Sequence, residues 1–154
     1  MSAFSKHRLS KDGHAYQCKE CNKKRSKIFR ASPSGIYTTF KGNALHFKKK
    51  PIKITRKEFI TWYDEQPKKC VYCDILESNL VKIIDKVNNN CSRLTVDCRE
   101  NDGGYVLGNI VLSCRRCNYL KQDFFSFDQM REIAQKYVKP RWEEQMKVKG
   151  EKDE

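Results

Sequence analysis

Apolar side chains recur along this chain in three helical stripes and two short strand-like runs. The first stripe is Ile36, Phe40, Ala44 and Phe47, with Tyr37 beside it. That spacing puts one apolar face on a helix. Ser32 and Pro33 supply an N-cap and a first-position proline, so the helix is expected from Pro33 to Phe47. The run Lys48-Lys49-Lys50-Pro51 ends it and is a candidate linker. Ile52-Lys53-Ile54 alternates and reads as a short strand. Thr55 and Glu58 form a capping box that opens a second helix, carrying Phe59, Trp62 and Tyr63 and closed by Pro67. Ser126 and Gln129 repeat that device before the third stripe, Phe127, Met130, Ile133, Ala134, Tyr137 and Val138. Core packing is the ordinary role of such stripes. Lys139-Pro140 should end the last helix, leaving a polar tail over 141–154 in which only Trp142 docks.

The strand-like runs lie between the second and third stripes. They are Leu94-Thr95-Val96, ending at Asp97, and Gly108 to Leu112, with a turn at Gly103-Gly104-Tyr105. Leu80 to Ile84 reads equally as a strand or a short helix, and Asn88 to Asn90 as a loop.

The chain has 154 residues, with 32 Lys and Arg against 19 Asp and Glu, for a formal net charge of +13. This length fits one domain, with or without an appendage. A hydrophobic share of 38% is low for a self-sufficient core, a shortfall that metal staples offset. The positive excess fits a phosphate-backbone partner, whose binding falls steeply with salt. The stretch MSAFSKHRLSKDG has no apolar core, so a secretory signal is not expected. No apolar run approaches membrane-spanning length. The expectation is an intracellular protein without a membrane partner, in the cytoplasm, nucleus, an organelle or a virus-infected cell.

In that setting the 8 cysteines read as metal ligands before disulfides. Two Cys-x-x-Cys pairs, Cys70/Cys73 and Cys114/Cys117, bracket the strand-like runs. Four thiolates in two pairs are the donor set of a tetrahedral structural Zn²⁺, which adds directly to folding free energy. No βαβ pattern surrounds either pair, which argues against a redox protein. A third pair, Cys18/Cys21, lies in a basic stretch with Lys19, Lys23, Lys24, Arg25, Lys27 and Arg30. His7 and His14 complete a His, His, Cys, Cys set there, or the pair is a knuckle without metal. Cys91 and Cys98 offer an alternative four-cysteine set with Cys18 and Cys21, although a small buried residue is the commoner role of an extra cysteine.

The stretch from Cys70 to Lys121 resembles the HNH nuclease family in its treble-clef, zinc-stapled form, found in phage and intron-borne endonucleases. The resemblance rests on Cys70, Cys73, Asp97, Gly104-Tyr105, Gly108-Asn109-Ile110, Cys114, Cys117, Asn118 and Lys121. It implies an α+β fold, a small treble-clef or ββα-metal core with flanking helices. The implied division is a basic, zinc-ribbon-like module plus helix over 1–48, a nuclease domain over 52–140 and a polar tail over 141–154. Asp97 and Asn118 would hold a catalytic Mg²⁺ or Mn²⁺, since a hard cation prefers oxygen ligands and keeps several waters. Asn109 would be the structural asparagine that pins the loop between the strands. Arg115, Arg116 and Lys121, with Lys23, Lys24 and Arg25 from the basic module, would contact nucleic acid, DNA ahead of RNA.

One position departs from the family's pattern. The general-base histidine that usually follows the aspartate is Cys98 here. A thiol takes a proton only as thiolate, and its ordinary pKa lies above neutral. Glu100, or His7, His14 or His46 brought in by folding, are substitutes, and water activated on the metal needs no protein base. Two function classes follow. One is a metal-dependent endonuclease that hydrolyses DNA phosphodiester bonds, homing-type enzymes included. The other is a catalytically impaired HNH scaffold that binds DNA or RNA, or serves as a structural part of a ribonucleoprotein assembly. Cys98 favours the second, and the retained Asp97 and Asn118 favour the first.

Overall fold

The structure, a computed structural model, describes residues 3–46, 51–83 and 93–150. Strands β1 (Phe4–Lys6) and β2 (His14–Cys18) pair as an antiparallel, largely exposed hairpin. Helix α1 (Lys19–Ala31) follows at once, because the Cys18 sulfur caps it by accepting the Cys21 N–H at 3.3 Å. No residue of α1 is buried. Its basic side chains leave it no apolar stripe to pack with. Helix α2 (Pro33–His46) starts where the sequence places it, with the Gly35 N–H donating to Ser32 Oγ at 3.2 Å. A Cβ on Gly35 would sit 2.0 Å from the Phe29 carbonyl oxygen, so glycine alone lets α2 turn so closely off α1.

Helix α3 (Arg56–Glu65) opens on the expected capping box between Thr55 and Glu58. Its Phe59 and Tyr63 are buried one turn apart. Phe59 stacks with Phe40 of α2 at 5.8 Å between ring centres and meets Tyr37 at 5.4 Å. Tyr105 meets Phe40 edge-on at 4.7 Å, and the Tyr37 hydroxyl donates to the Ile54 carbonyl at 3.0 Å. Tyr37, Phe40, Phe59 and Tyr63 of the first two stripes are therefore core, as the periodicity predicts, with Trp62 half-buried against them; Phe47 and the linker over 48–50 lie outside the described residues. The expected strand over Ile52 to Ile54 reduces to one parallel bridge, Ile52 to Tyr105. Gly104, beside that bridge, has φ +67°, and a Cβ there would lie 2.9 Å from Pro51.

Helix α4 (Glu77–Ile83) makes the ambiguous run helical from Leu80 to Ile83, burying both, while Ile84 lies outside the described residues. The loop expected over Asn88 to Asn90 lies outside the described residues. Strands β3 (Leu94–Cys98) and β4 (Ile110–Cys114) pair antiparallel, Leu94 with Cys114 through to Cys98 with Ile110. Helix α5 (Arg115–Lys121) leaves β4 directly, and α6 (Phe127–Ile133) opens on the Ser126–Gln129 capping box.

The C-terminal end corrects the sequence reading. A π turn, Ala134–Val138, leads into a further helix, α7 (Lys139–Gly150), so Lys139-Pro140 does not stop the chain. Proline has no N–H to give and its ring crowds the carbonyl four residues back; the wider π turn accommodates both. It also shifts the third stripe: Met130 and Ala134 are buried, whereas Tyr137 is 60% exposed. Trp142 docks as expected, but from a helix and not from a frayed tail. One core joins Tyr37 and Phe40 of α2, both strands of the second hairpin, and Trp142 of α7. Packing therefore crosses both expected boundaries, at 48 and at 140. None of the described helices is long and apolar enough to cross a membrane.

Two predictions follow from this packing. Phe59→Ala should cost about 3–5 kcal/mol of stability, read from the shift in a urea midpoint, since it empties the centre of the aromatic cluster. The second concerns alkaline pH. Burial, then the Glu77 charge, pushes the Tyr63 phenol up to about 12. Burial, then the charges of Cys98 and Asp97, does the same to Tyr105. The folded chain thus keeps protons that the unfolded chain releases from about pH 10. The stability tied to these groups is whole below that pH and lost as pH rises towards 12. Urea melts across this window should show a falling midpoint, and Tyr105→Phe should make the fall shallower.

Candidate active site

The first knuckle is the turn from Cys70 to Ile75. The Cys70 N–H donates to the Ile75 carbonyl at 2.9 Å, and the Asp74 N–H to the Cys70 carbonyl at 3.0 Å. Asp74 carries φ 60°, a conformation that aspartate tolerates better than most residues. The Gln135 amide holds this turn by donating to the Tyr72 carbonyl at 2.7 Å and to Asp74 Oδ2 at 2.8 Å. The Arg131 guanidinium donates to the Val71 carbonyl. The second knuckle is the start of α5, where the Cys114 sulfur accepts the Cys117 N–H at 3.4 Å. The Val71 N–H donates to the Leu112 carbonyl at 2.9 Å and ties the two knuckles together.

Cys70, Cys73, Cys114 and Cys117 meet as a buried cluster, all four sulfurs within 4.8 Å of one another. Cys73 Sγ and Cys114 Sγ are 3.8 Å apart. A tetrahedron with Zn–S bonds of about 2.3 Å has edges of roughly 3.8 Å, so the donor set fits a zinc ion in both type and size. Bonds from the Cys114, Cys117 and Cys73 thiols hold Cys70 below the ordinary thiol range. Cys117 is driven far above it by its contacts with Cys114, Cys70 and Cys73. Four sulfurs so close cannot all be thiolates unless a cation neutralises them.

Asp97 lies on β3 with 6% exposure. Its Oδ1 accepts the Cys98 N–H at 2.8 Å, and its Oδ2 accepts the Tyr72 hydroxyl at 2.8 Å. Burial, then the Asp97 charge, pushes the Tyr72 phenol above its ordinary range, so it remains a donor. Asn118, on α5, donates to Thr95 Oγ1 at 3.0 Å and to the Val96 carbonyl at 3.3 Å. That engages its amide nitrogen one strand residue from Asp97. One turn further on, Lys121 is fully buried. Its ammonium donates to Asn101 Oδ1 at 2.5 Å and sits 4.0 Å from Asp97 Oδ2. A buried lysine needs such partners. The expected phosphate contact by Lys121 is therefore corrected: its charge faces Asp97 inside the protein.

Asn109 closes the loop between the strands. Its amide donates to the carbonyls of Gly104 at 2.8 Å and Glu100 at 3.0 Å, and its oxygen accepts the Glu100 N–H at 2.8 Å. Cys98 is buried, and its S–H points to the Gly104 carbonyl at 3.4 Å. Glu100 is exposed just beyond β3.

The other expected ligand set does not assemble. Among the described residues, the four-cysteine cluster is the one group of three or more metal-ligating side chains brought together. His7 pairs with Ser10 Oγ at 2.9 Å and His14 with the Asp12 carbonyl at 2.7 Å, each held by its own local turn. Neither joins Cys18 and Cys21, nor does Cys98, whose thiol is committed inside the core. Cys91 and the side chain of His46 lie outside the described residues. Arg115 and Arg116 are exposed at the start of α5, and Lys23, Lys24 and Arg25 are exposed on α1, where Lys24 pairs with Glu20 at 3.1 Å. Sequence reasoning missed Tyr72, Asn101 and Gln135. Tyr72 stood in plain view as the spacer of the first Cys-x-x-Cys, but only the fold turns it towards Asp97.

No family model matches the chain. It is 31% identical over 88 residues to the uncharacterized protein R423 of Acanthamoeba polyphaga mimivirus. Those residues are 57% of this chain, and they span 14% of that protein's length. Among solved structures, it is similar to the rare-cutting HNH restriction endonuclease PacI, for which a mechanism of DNA perturbation is described. The TM-score is 0.59 at 22% identity, covering 89% of this chain and 91% of the other. The chain thus has an α+β HNH endonuclease fold with a four-cysteine cluster in its core.

Cys70→Ser should unfold this core and release zinc, read by circular dichroism and a colorimetric zinc assay, because three thiolates leave a structural site one ligand short. Asp97→Ala should stay folded with its zinc. A wild-type protein that folds equally well after exhaustive chelation would refute the staple.

Proposed function

We propose that this HNH-fold chain is a zinc-stapled, divalent-metal-dependent endonuclease that hydrolyses phosphodiester bonds in DNA. One observation supports the reading: the Asn118 amide nitrogen donates to Thr95 Oγ1 and to the Val96 carbonyl, which lays α5 on β3 beside Asp97, and Asn118 directly follows Cys117 of the four-cysteine cluster. Mg²⁺ or Mn²⁺ held by Asp97 and Asn118 would supply charge stabilisation to the scissile phosphate and the leaving 3′ oxygen. Water adds to phosphorus, the P–O3′ bond breaks, and a proton ends on the leaving oxygen. Asp97 Oδ2 is held between the Tyr72 hydroxyl and the Lys121 ammonium. Asn109 fixes the turn that leads back from Asp97 into β4. Arg115 and Arg116 stand exposed on the same helix as Asn118 and neutralise backbone phosphates. The exposed bases of α1, Lys23, Lys24 and Arg25, extend that contact along the duplex. DNA is the favoured substrate because the structural neighbour is a restriction endonuclease.

Cys98 supports a second reading, an inactive scaffold that binds nucleic acid. Its thiol is buried and donates to Gly104, so it has no route to a water at the phosphate. The endonuclease reading would therefore take its base from the exposed Glu100, or need none where the cation itself would acidify the attacking water.

A supercoiled-plasmid nicking assay separates the two. The zinc-loaded protein should nick with Mg²⁺ or Mn²⁺ and not with EDTA, and Asp97→Ala should lower the rate at least about 100-fold while leaving salt-dependent binding intact. Glu100→Gln, in the same assay, should cost about 10²–10⁴-fold if that carboxylate is the base. Binding without cleavage by the wild type, on plasmids carrying varied sequence, would select the scaffold.

A further inference from the structure

The Tyr72 side chain joins the two candidate metal sites of this chain. It is the spacer of the first knuckle, between Val71 and Cys73, and is fully buried. Its ring packs on Phe127 of α6 at 5.3 Å between ring centres. Its carbonyl is held by Gln135, and the carbonyl before it by Arg131. Held at its ring, at its carbonyl and within the Cys70–Cys73 turn, Tyr72 donates its hydroxyl to Asp97 Oδ2 at 2.8 Å. The other carboxylate oxygen is fixed by the Cys98 N–H at 2.8 Å. A carboxylate fixed at both oxygens cannot rotate, which sets the directions left for a cation.

We infer that Tyr72 is a positioning residue: it transmits the geometry of the zinc knuckle to Asp97 and so sets the affinity and coordination of the divalent cation bound there. This rests on Asp97 being a ligand of that cation, the reading proposed above. The physical reason is general. Groups that hydrogen-bond to a metal ligand orient it, and losing one weakens the metal about 10–100-fold although no ligand is removed. Placing such a donor inside a structural zinc turn lets one buried staple serve both sites.

The experiment compares zinc-loaded full-length wild type, Asp97→Ala and Tyr72→Phe. Three quantities are read: zinc per chain, near-ultraviolet circular dichroism, and Mn²⁺ affinity from the electron paramagnetic resonance of free Mn²⁺. Tyr72→Phe should keep its zinc and fold, bind Mn²⁺ about 10-fold or more weakly, and change the spectrum of the bound ion. Asp97→Ala should lose that Mn²⁺ site. Equal Mn²⁺ binding by wild type and Asp97→Ala, or none by wild type, would remove Asp97 as a ligand and overturn the proposed function together with this inference. A site lost in Asp97→Ala but unchanged in Tyr72→Phe would overturn the inference alone. Should Tyr72→Phe fail to hold zinc, 4-fluorophenylalanine at position 72 fills the hydroxyl's space without donating. Wild-type Mn²⁺ affinity in that protein counts against Tyr72, and restored affinity with the donor 4-aminophenylalanine counts for it.

Discussion

Four cysteine sulfurs, two from a turn and two from the start of a helix, must share one buried space. Cys73 and Cys114 are 41 positions apart in the chain, so their contact closes a long loop. Closing such a loop costs entropy that grows only slowly with its length. The larger cost is electrostatic, since thiolates this close repel in a medium of low dielectric. A divalent cation would remove that repulsion and make the cluster a tie across the core. The β4–α5 junction, the knuckle turn and the residues of α6 and the π turn that clamp it are all built around this point. In a chain with 38% hydrophobic residues, the tie stands in for apolar area that the sequence does not have.

The second constraint is the buried pair of Asp97 and Lys121. Removing two charges from water is expensive, and their attraction alone rarely repays it. Here the remaining valences are filled by Tyr72, the Cys98 N–H and Asn101. A carboxylate ringed by fixed donors is poorly suited to stabilising a fold and well suited to presenting a fixed charge. Beside it, the Asn118 amide nitrogen is spent on β3. Under the proposed function, a cation held by Asp97 and Asn118 would find little left to reorganise, which is the condition for electrostatic catalysis.

The basic surface works on another scale. Helix α1 buries nothing and carries its lysines and arginines into solvent, so its contribution to stability is small. Charges of this kind speed encounter with a polyanion and fade with salt. Local order comes from the Cys18 cap and the approach to α2 at Gly35, not from a core of its own.

Much of this was legible in the sequence because it depends on short-range chemistry. Capping boxes at Thr55 and Ser126, the Ser32-Pro33 start, and the strand pair around Gly103-Gly104 are decided by residues within a few positions of one another. The two Cys-x-x-Cys pairs that bracket the strands make up a complete tetrahedral donor set, so their meeting was legible from type and spacing. What the sequence left open depended on distance in space. The histidines near Cys18 and Cys21 looked like ligands by type, yet each is satisfied by its own turn. Lys121 looked like a surface cation until α5 was laid on β3 and its ammonium turned inwards. Pro140 looked like a stop until the π turn made room for it. Tyr72 carried no signal, because a hydrogen bond across 25 positions exists only when the knuckle and the strand are brought together. Residue type and local spacing fixed the capped helices, the second strand pair and the meeting of the four cysteines; the direction in which each buried polar group points was decided by tertiary packing, since only there does it lose water and need a partner.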